Sequence, residues 1–170
     1  MVTVVPFALV VLAFVAALAE LLIRRRGFGP ERIARVLLRW ILVFPLALMG
    51  LWAFSGHIFA PAQVAASIGW PTSPFQFEIG MANLSLGVTG LIAAFRRDLG
   101  FPLAVAIAAL CFLGGDGIGH IIQIETTGDM AAGNAGVILY MDLFVPLALL
   151  ALIGVVAATR KTSRSDTARA

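Results

Sequence analysis

The sequence predicts an all-α fold, a transmembrane bundle of five helices, and three observations carry that prediction. Hydrophobic residues make up 61% of the 170-residue chain and charged residues 12%, too few polar side chains to cover a water-facing surface. Five apolar stretches each approach the roughly 20 residues needed to cross a hydrocarbon core. Every Lys and Arg falls on one side of the membrane if the chain crosses five times, as the positive-inside rule requires. A mean hydropathy of +1.00 agrees. The length suits one helical domain over residues 1–160, followed by a polar cytoplasmic tail over 161–170 that is expected to be disordered.

The first stretch runs from about Val2 to Ile23. Ala17-Leu18-Ala19 resembles a signal-peptide cleavage site. The long apolar run, the absence of a basic start and the arginines that follow at once favour a retained span instead. The second stretch runs from about Val36 to Phe59, the third from Phe75 to Phe95, the fourth from Phe101 to Ile124 and the fifth from Gly136 to Thr159. Lipid leaves no partner for unpaired backbone groups, so each must be a helix.

The basic residues set the direction. Arg24, Arg25, Arg26, Arg32, Arg35 and Arg39 lie between the first and second spans, and Arg96 and Arg97 between the third and fourth. Arg160, Lys161, Arg164 and Arg169 follow the fifth. The loops at about 60–74 and 125–135 contain no Lys or Arg. The N-terminus is therefore expected outside and the C-terminus in the cytoplasm, in the cell's inner (plasma) membrane. Pro30 can open a short helix that lines up Arg32, Arg35 and Arg39 towards lipid headgroups. Glu20, the one acid of the first span, is expected to reach Arg24 or the headgroups. The net charge of +3 reflects this orientation pattern rather than a nucleic-acid surface, since no recognition motif accompanies it.

Within that topology the polar residues gather in the outer half. His57 closes the second span. Gln76, Glu78 and Asn83 lie on the third, where Gly80, Asn83, Gly87 and Gly90 form a close-packing stripe. Glu78 and Asn83 stand about 140° apart on the helical wheel, so they cannot both face one centre. The fourth span carries Gly114-Gly115-Asp116-Gly117-Ile118-Gly119-His120. Asp116 and His120 share a face, Gln123 extends it, and Gly115 and Gly119 suit close approach of another helix. The lack of a preceding strand and of a lysine argues against a phosphate-cradling role for these glycines. Asp142 lies in the fifth span, four residues before Pro146, which can kink the helix. Intramembrane ionisable groups of this kind are functional candidates. The segment Ala60–Pro74 is too apolar for a free loop. A short interfacial helix opened by Pro61 and ended by Gly69-Trp70-Pro71 is expected there, a connector or a lid over the cluster. Cys111 is the only cysteine, which excludes an intramolecular disulfide and a multi-cysteine zinc site; a small buried thiol is expected.

Gly56-His57, Ile68-Gly69-Trp70-Pro71, Ser73-Pro74-Phe75-Gln76, Glu78-Ile79-Gly80, Ala82-Asn83, Gly115 to His120 and Gly133-Asn134-Ala135-Gly136 together resemble a family of small, uncharacterised prokaryotic membrane proteins. The resemblance covers about residues 50 to 145 and implies a membrane location without an activity. The layout is also distantly similar to DoxX-like helical membrane proteins, an analogy of fold that carries no site.

Several functions remain open on the residues alone. The polar set is a paired structural core with a structural or partner-binding role, the partners being membrane lipid, another protein or a second copy. Alternatively His57, Glu78, Asp116 and His120 hold a divalent transition metal, or His57 and His120 are axial ligands of a haem. A small-solute or proton transporter would use the cluster as a path, against which the inner halves look sealed and no internal repeat is visible. A membrane enzyme acting on lipid or quinone would use an Asp–His pair as acid and base, although no nucleophile motif accompanies it.

Overall fold

The computed structural model describes residues 2–24 and 28–167, with side chains through Arg160. Helix α1 covers Val4–Ile23, and the second span is composite: α2 (Pro30–Ile41), a π-helical stretch (Leu42–Leu48) and α3 (Met49–Phe59). The short α4 (Pro61–Ile68) precedes α5 (Phe75–Ala94), α6 (Gly100–Thr127) and α7 (Val137–Thr167). Taking 30–59 as one rod, five helices are long and apolar enough to cross a membrane. The fold class read from the sequence is the one observed, and the protein is a multi-pass membrane protein. Arg25, Arg26 and Arg169 lie outside the described residues. So do 168–170 of the expected tail, and for 161–167 the structure gives only a helical path.

The apolar faces explain the packing. On α1, Pro6, Ala13, Ala17 and Leu21 are buried while Phe7, Phe14 and Leu18 face outward, one stripe turned inward and the rest left to lipid. Cys111 is exposed on α6, not buried as expected, because the outer face of a lipid-solvated helix is itself apolar. The second span starts at Pro30, several residues before its apolar run. Proline fits the first helical turn, where its missing N–H is no loss, and Arg35 and Arg39 lie along the rod that results.

Pro45 sits inside the π-helical stretch. It cannot donate to the carbonyl of Ile41 and its ring would collide with it in an α-turn; a widened turn relieves both. In α7 the helix continues through the buried Pro146, so the Asp142 carbonyl loses its usual helical donor.

Spans pack in two pairs. Along α3 and α5 the backbones nearly touch: a Cβ on Gly50 would lie 2.8 Å from the Asn83 carbonyl oxygen, and one on Gly87 would lie 3.0 Å from Leu51. The small-residue stripe of α5 thus does what its spacing predicted. Helix α6 packs along α7, with Gly117 against Leu143. The pairs join at the arginine end, where α2 packs on α7 and a core of Leu38, Leu42, Leu86, Ala106, Leu149 and Ile153 is closed. Ion pairs add to that closure. Glu20 accepts from Arg39 at 2.7 Å and Trp40 Nε1 at 3.0 Å, and lies 3.6 Å from Arg24. Glu31 accepts from Arg35 at 2.9 Å and Arg160 at 3.1 Å. Glu20 therefore reaches Arg24, as expected, and ties α1 to α2 as well.

At the opposite, arginine-free end, α3 has no sustained packing against α6 or α7, and a cavity opens between the pairs.

Candidate functional site

The cavity holds about 420 Å³, within the ordinary range for a small-molecule site. Its wall is mostly apolar, with Pro45, Trp52, Ile79, Leu113 and Met141 among the lining side chains. Six of the eight polar residues singled out by sequence line it: His57, Gln76, Asn83, Asp116, His120 and Asp142. Glu78 and Gln123 do not. Helical geometry explains Glu78. Gln76, Ile79 and Asn83 share the cavity face of α5, and Glu78 stands about 200° from Gln76, on the far side; it is exposed and makes no cap on Ser73.

The polar residues fall into two groups. The first is organised around His120 and Asn134. His120 Nδ1 lies 2.7 Å from Asn134 Oδ1, and Asn134 Nδ2 donates to the Asp129 carbonyl at 2.8 Å. With the amide nitrogen so engaged, Asn134 Oδ1 is the acceptor and His120 Nδ1 carries the hydrogen. The other ring nitrogen faces Asp142 Oδ2 at 3.6 Å. Trp70 packs against the ring, with centroids 6.2 Å apart. The Asp116–His120 or Asp116–Asn83 pairing expected for a structural core is not what forms. His120 turns to α7 and the following loop, and Asn83 donates to the Ile79 carbonyl of its own helix at 3.0 Å.

The second group keeps free acceptors. His57 Nδ1 donates to Gln76 Oε1 at 2.6 Å, which leaves Nε2 with its lone pair and no partner among the described residues. Asp116 makes no hydrogen bond among the described residues and borders the cavity. Beside it, Gly115 and Gly119 also line the cavity, and a Cβ on either would meet no atom within 4 Å. This corrects the expectation that they seat a neighbouring helix: no helix covers them, and their missing side chains are part of the open volume.

Helix α4 and its flanks form the end wall through Gln63, Ser67 and Trp70. The helix ends where the sequence predicted, on Gly69 at φ 91°, with Trp70 N–H returning to the Ala65 carbonyl at 2.9 Å, a glycine-terminated cap. Gly133 N–H donates to the Ser67 carbonyl at 2.8 Å and joins this wall to the loop that carries Asn134. Sequence reasoning overlooked Asn134 as a site residue, although it is fully buried. Its signal was the Gly-Asn-Ala-Gly run in a loop without basic residues.

Among the described residues, no three His, Cys, Asp or Glu side chains are grouped as metal ligands would be. Of His57, Glu78, Asp116 and His120, Glu78 faces away and His120 is hydrogen-bonded to Asn134 through Nδ1.

A family model described as "Family of unknown function (DUF6790)" matches residues 3–163. No curated protein and no solved structure matches the chain.

Proposed function

Since the chain belongs to DUF6790, a family of unknown function, we propose a role drawn from the cavity itself: binding a small lipophilic molecule whose polar head donates hydrogen bonds, such as a phenol or alcohol. The observation that supports this reading is the pair of acceptors without a donor among the described residues, Asp116 and His57 Nε2, on the wall of a mostly apolar cavity. Both groups are half-buried; an acceptor shielded from water without gaining a donor is unfavourable by up to about 1–3 kcal/mol, and a ligand hydroxyl relieves it. The paired His120–Asn134–Asp142 network is then the structural part of the site, holding α6, α7 and the loop in place around the ligand. Passage across the membrane fits less well, because the apolar core closes the arginine end. The arginine distribution supports an inner-membrane setting with that end in the cytoplasm, and hence a binding site in the outer half. The similarity to DoxX-like proteins adds no residue to this site.

The test uses the full chain in nanodiscs, with para-octylphenol and its methyl ether as probes and tryptophan fluorescence as readout, since Trp52 and Trp70 line the cavity. The phenol is expected to quench saturably and the ether far less. Gly119→Leu should fill the space and abolish the phenol signal. Asp116→Asn should weaken binding roughly tenfold, the value of one hydrogen bond to a charged acceptor. Unchanged binding by a folded Gly119→Leu protein, or no saturable signal from wild type, would overturn the reading.

A further inference from the structure

The arginine end contains a second cavity, of about 300 Å³, between α2, the α5–α6 turn and the end of the fifth span. Arg35, Arg39, Arg96, Arg97 and Arg160 line it, and Asp98 is the one carboxylate among the lining residues. Counting Glu31 and Glu20, which neighbour it through Arg35, Arg160 and Arg39, five cations face three carboxylates among the described residues, an excess of two positive charges. Arg35 Nη2 and Arg39 Nε are buried without a hydrogen-bond partner among the described residues. Arg97 is exposed and forms no ion pair among the described residues. The start of the long helix α6 also borders the space through Leu99 and Pro102, adding the positive end of its dipole. Asp98 is spent on that helix start: its carboxyl is held below the usual carboxylate range by the Phe101 backbone N–H and the Arg96 guanidinium.

We propose that this cavity is a binding site for a phosphate ester. Guanidinium groups offer forked donors matched to phosphate oxygens, and two unbalanced charges suit a phosphate better than a single carboxylate. Arginines drawn from three connections converge here, so the site needs the folded bundle and is more than a basic sequence run. It lies where the spans end, so the phosphate comes either from a lipid headgroup or from a soluble phosphate compound.

Native mass spectrometry of the detergent-solubilised full chain can separate the two sources, with phosphatidylglycerol, phosphatidylcholine and inorganic phosphate as probes. Retention of phosphatidylglycerol over phosphatidylcholine is expected. Arg97→Gln, at an exposed side chain that forms no ion pair among the described residues, should lower it about fivefold, as one lost surface cation predicts, while Arg32→Gln, at a side chain that donates to the Leu21 carbonyl and does not line the cavity, should leave it unchanged. Displacement of the lipid by inorganic phosphate, with a rise in melting temperature, would assign the site to soluble phosphates. If neither anion is preferred, or if Arg32→Gln weakens retention as much as Arg97→Gln, the site is refuted and only diffuse charge attraction remains. Circular dichroism of each variant checks folding, and Arg35→Lys, which keeps the charge but loses the fork, gives an independent reading: undiminished retention there would count against fork recognition.

Discussion

His120 shows how a residue's neighbours decide its role. On α6 it shares a face with Asp116, and the two could have paired. Instead its Nδ1 reaches Asn134 at 2.7 Å and its other nitrogen faces Asp142 at 3.6 Å. That diversion leaves Asp116 available to a ligand. Asn134 is the pivot, fully buried and bonded on both its oxygen and its nitrogen. Asn134→Ala strands a buried imidazole N–H and the Asp129 carbonyl, so a loss of about 2 kcal/mol is expected. Unfolding of the detergent-solubilised protein, followed by circular dichroism, measures it. His57→Ala, by contrast, removes a partly buried ring bonded only to Gln76 and belongs to the binding chemistry.

Glycines separate into two roles at the scale of elements, and the distinction can be checked by adding one methyl group. On Gly50 that methyl meets the Asn83 carbonyl oxygen at 2.8 Å, a backbone atom that cannot step aside without parting α3 from α5. Gly50→Ala is expected to destabilise by about 1–3 kcal/mol, as overpacking does. On Gly115 the methyl meets nothing within 4 Å. Gly115→Ala should be neutral or stabilising by up to about 1 kcal/mol, because alanine is the better helix former. Parallel unfolding curves of the two variants provide the check, and equal destabilisation would contradict the assignment of Gly115 to open space. The second span shows the complementary device. Pro45 forces the helix to widen into a π-turn and lines the cavity at that level.

On the scale of the whole molecule, the bundle is pinched at one end and open at the other. Ion pairs through Glu20 and Glu31 and a closed leucine-rich core hold the arginine end. The arginine-free end is bridged by α4 and the Asn134 loop around the cavity. The proposed orientation puts the pinched end in the cytoplasm. Single cysteines introduced into a Cys111→Ala background should therefore react with a membrane-impermeant maleimide at Thr72 in intact cells, and at Arg97 only after permeabilisation. Labelling of residue 97 in intact cells would invert the topology and both site placements with it.

Five helices, their approximate limits and the clustering of His57, Asn83, Asp116, His120 and Asp142 towards one end could be read from the chain, because hydrophobic length and helical period are local properties that lipid enforces span by span. The Gly80–Gly90 stripe and the glycine stop after α4 were legible for the same reason. Tertiary structure decided what depends on how the spans tilt and pair. It turned Glu78 outward, matched His120 with Asn134 and Asp142 rather than Asp116, and left Gly115 and Gly119 facing space instead of a helix. Wheel positions show which residues share a face, but not which neighbour, or which cavity, that face meets.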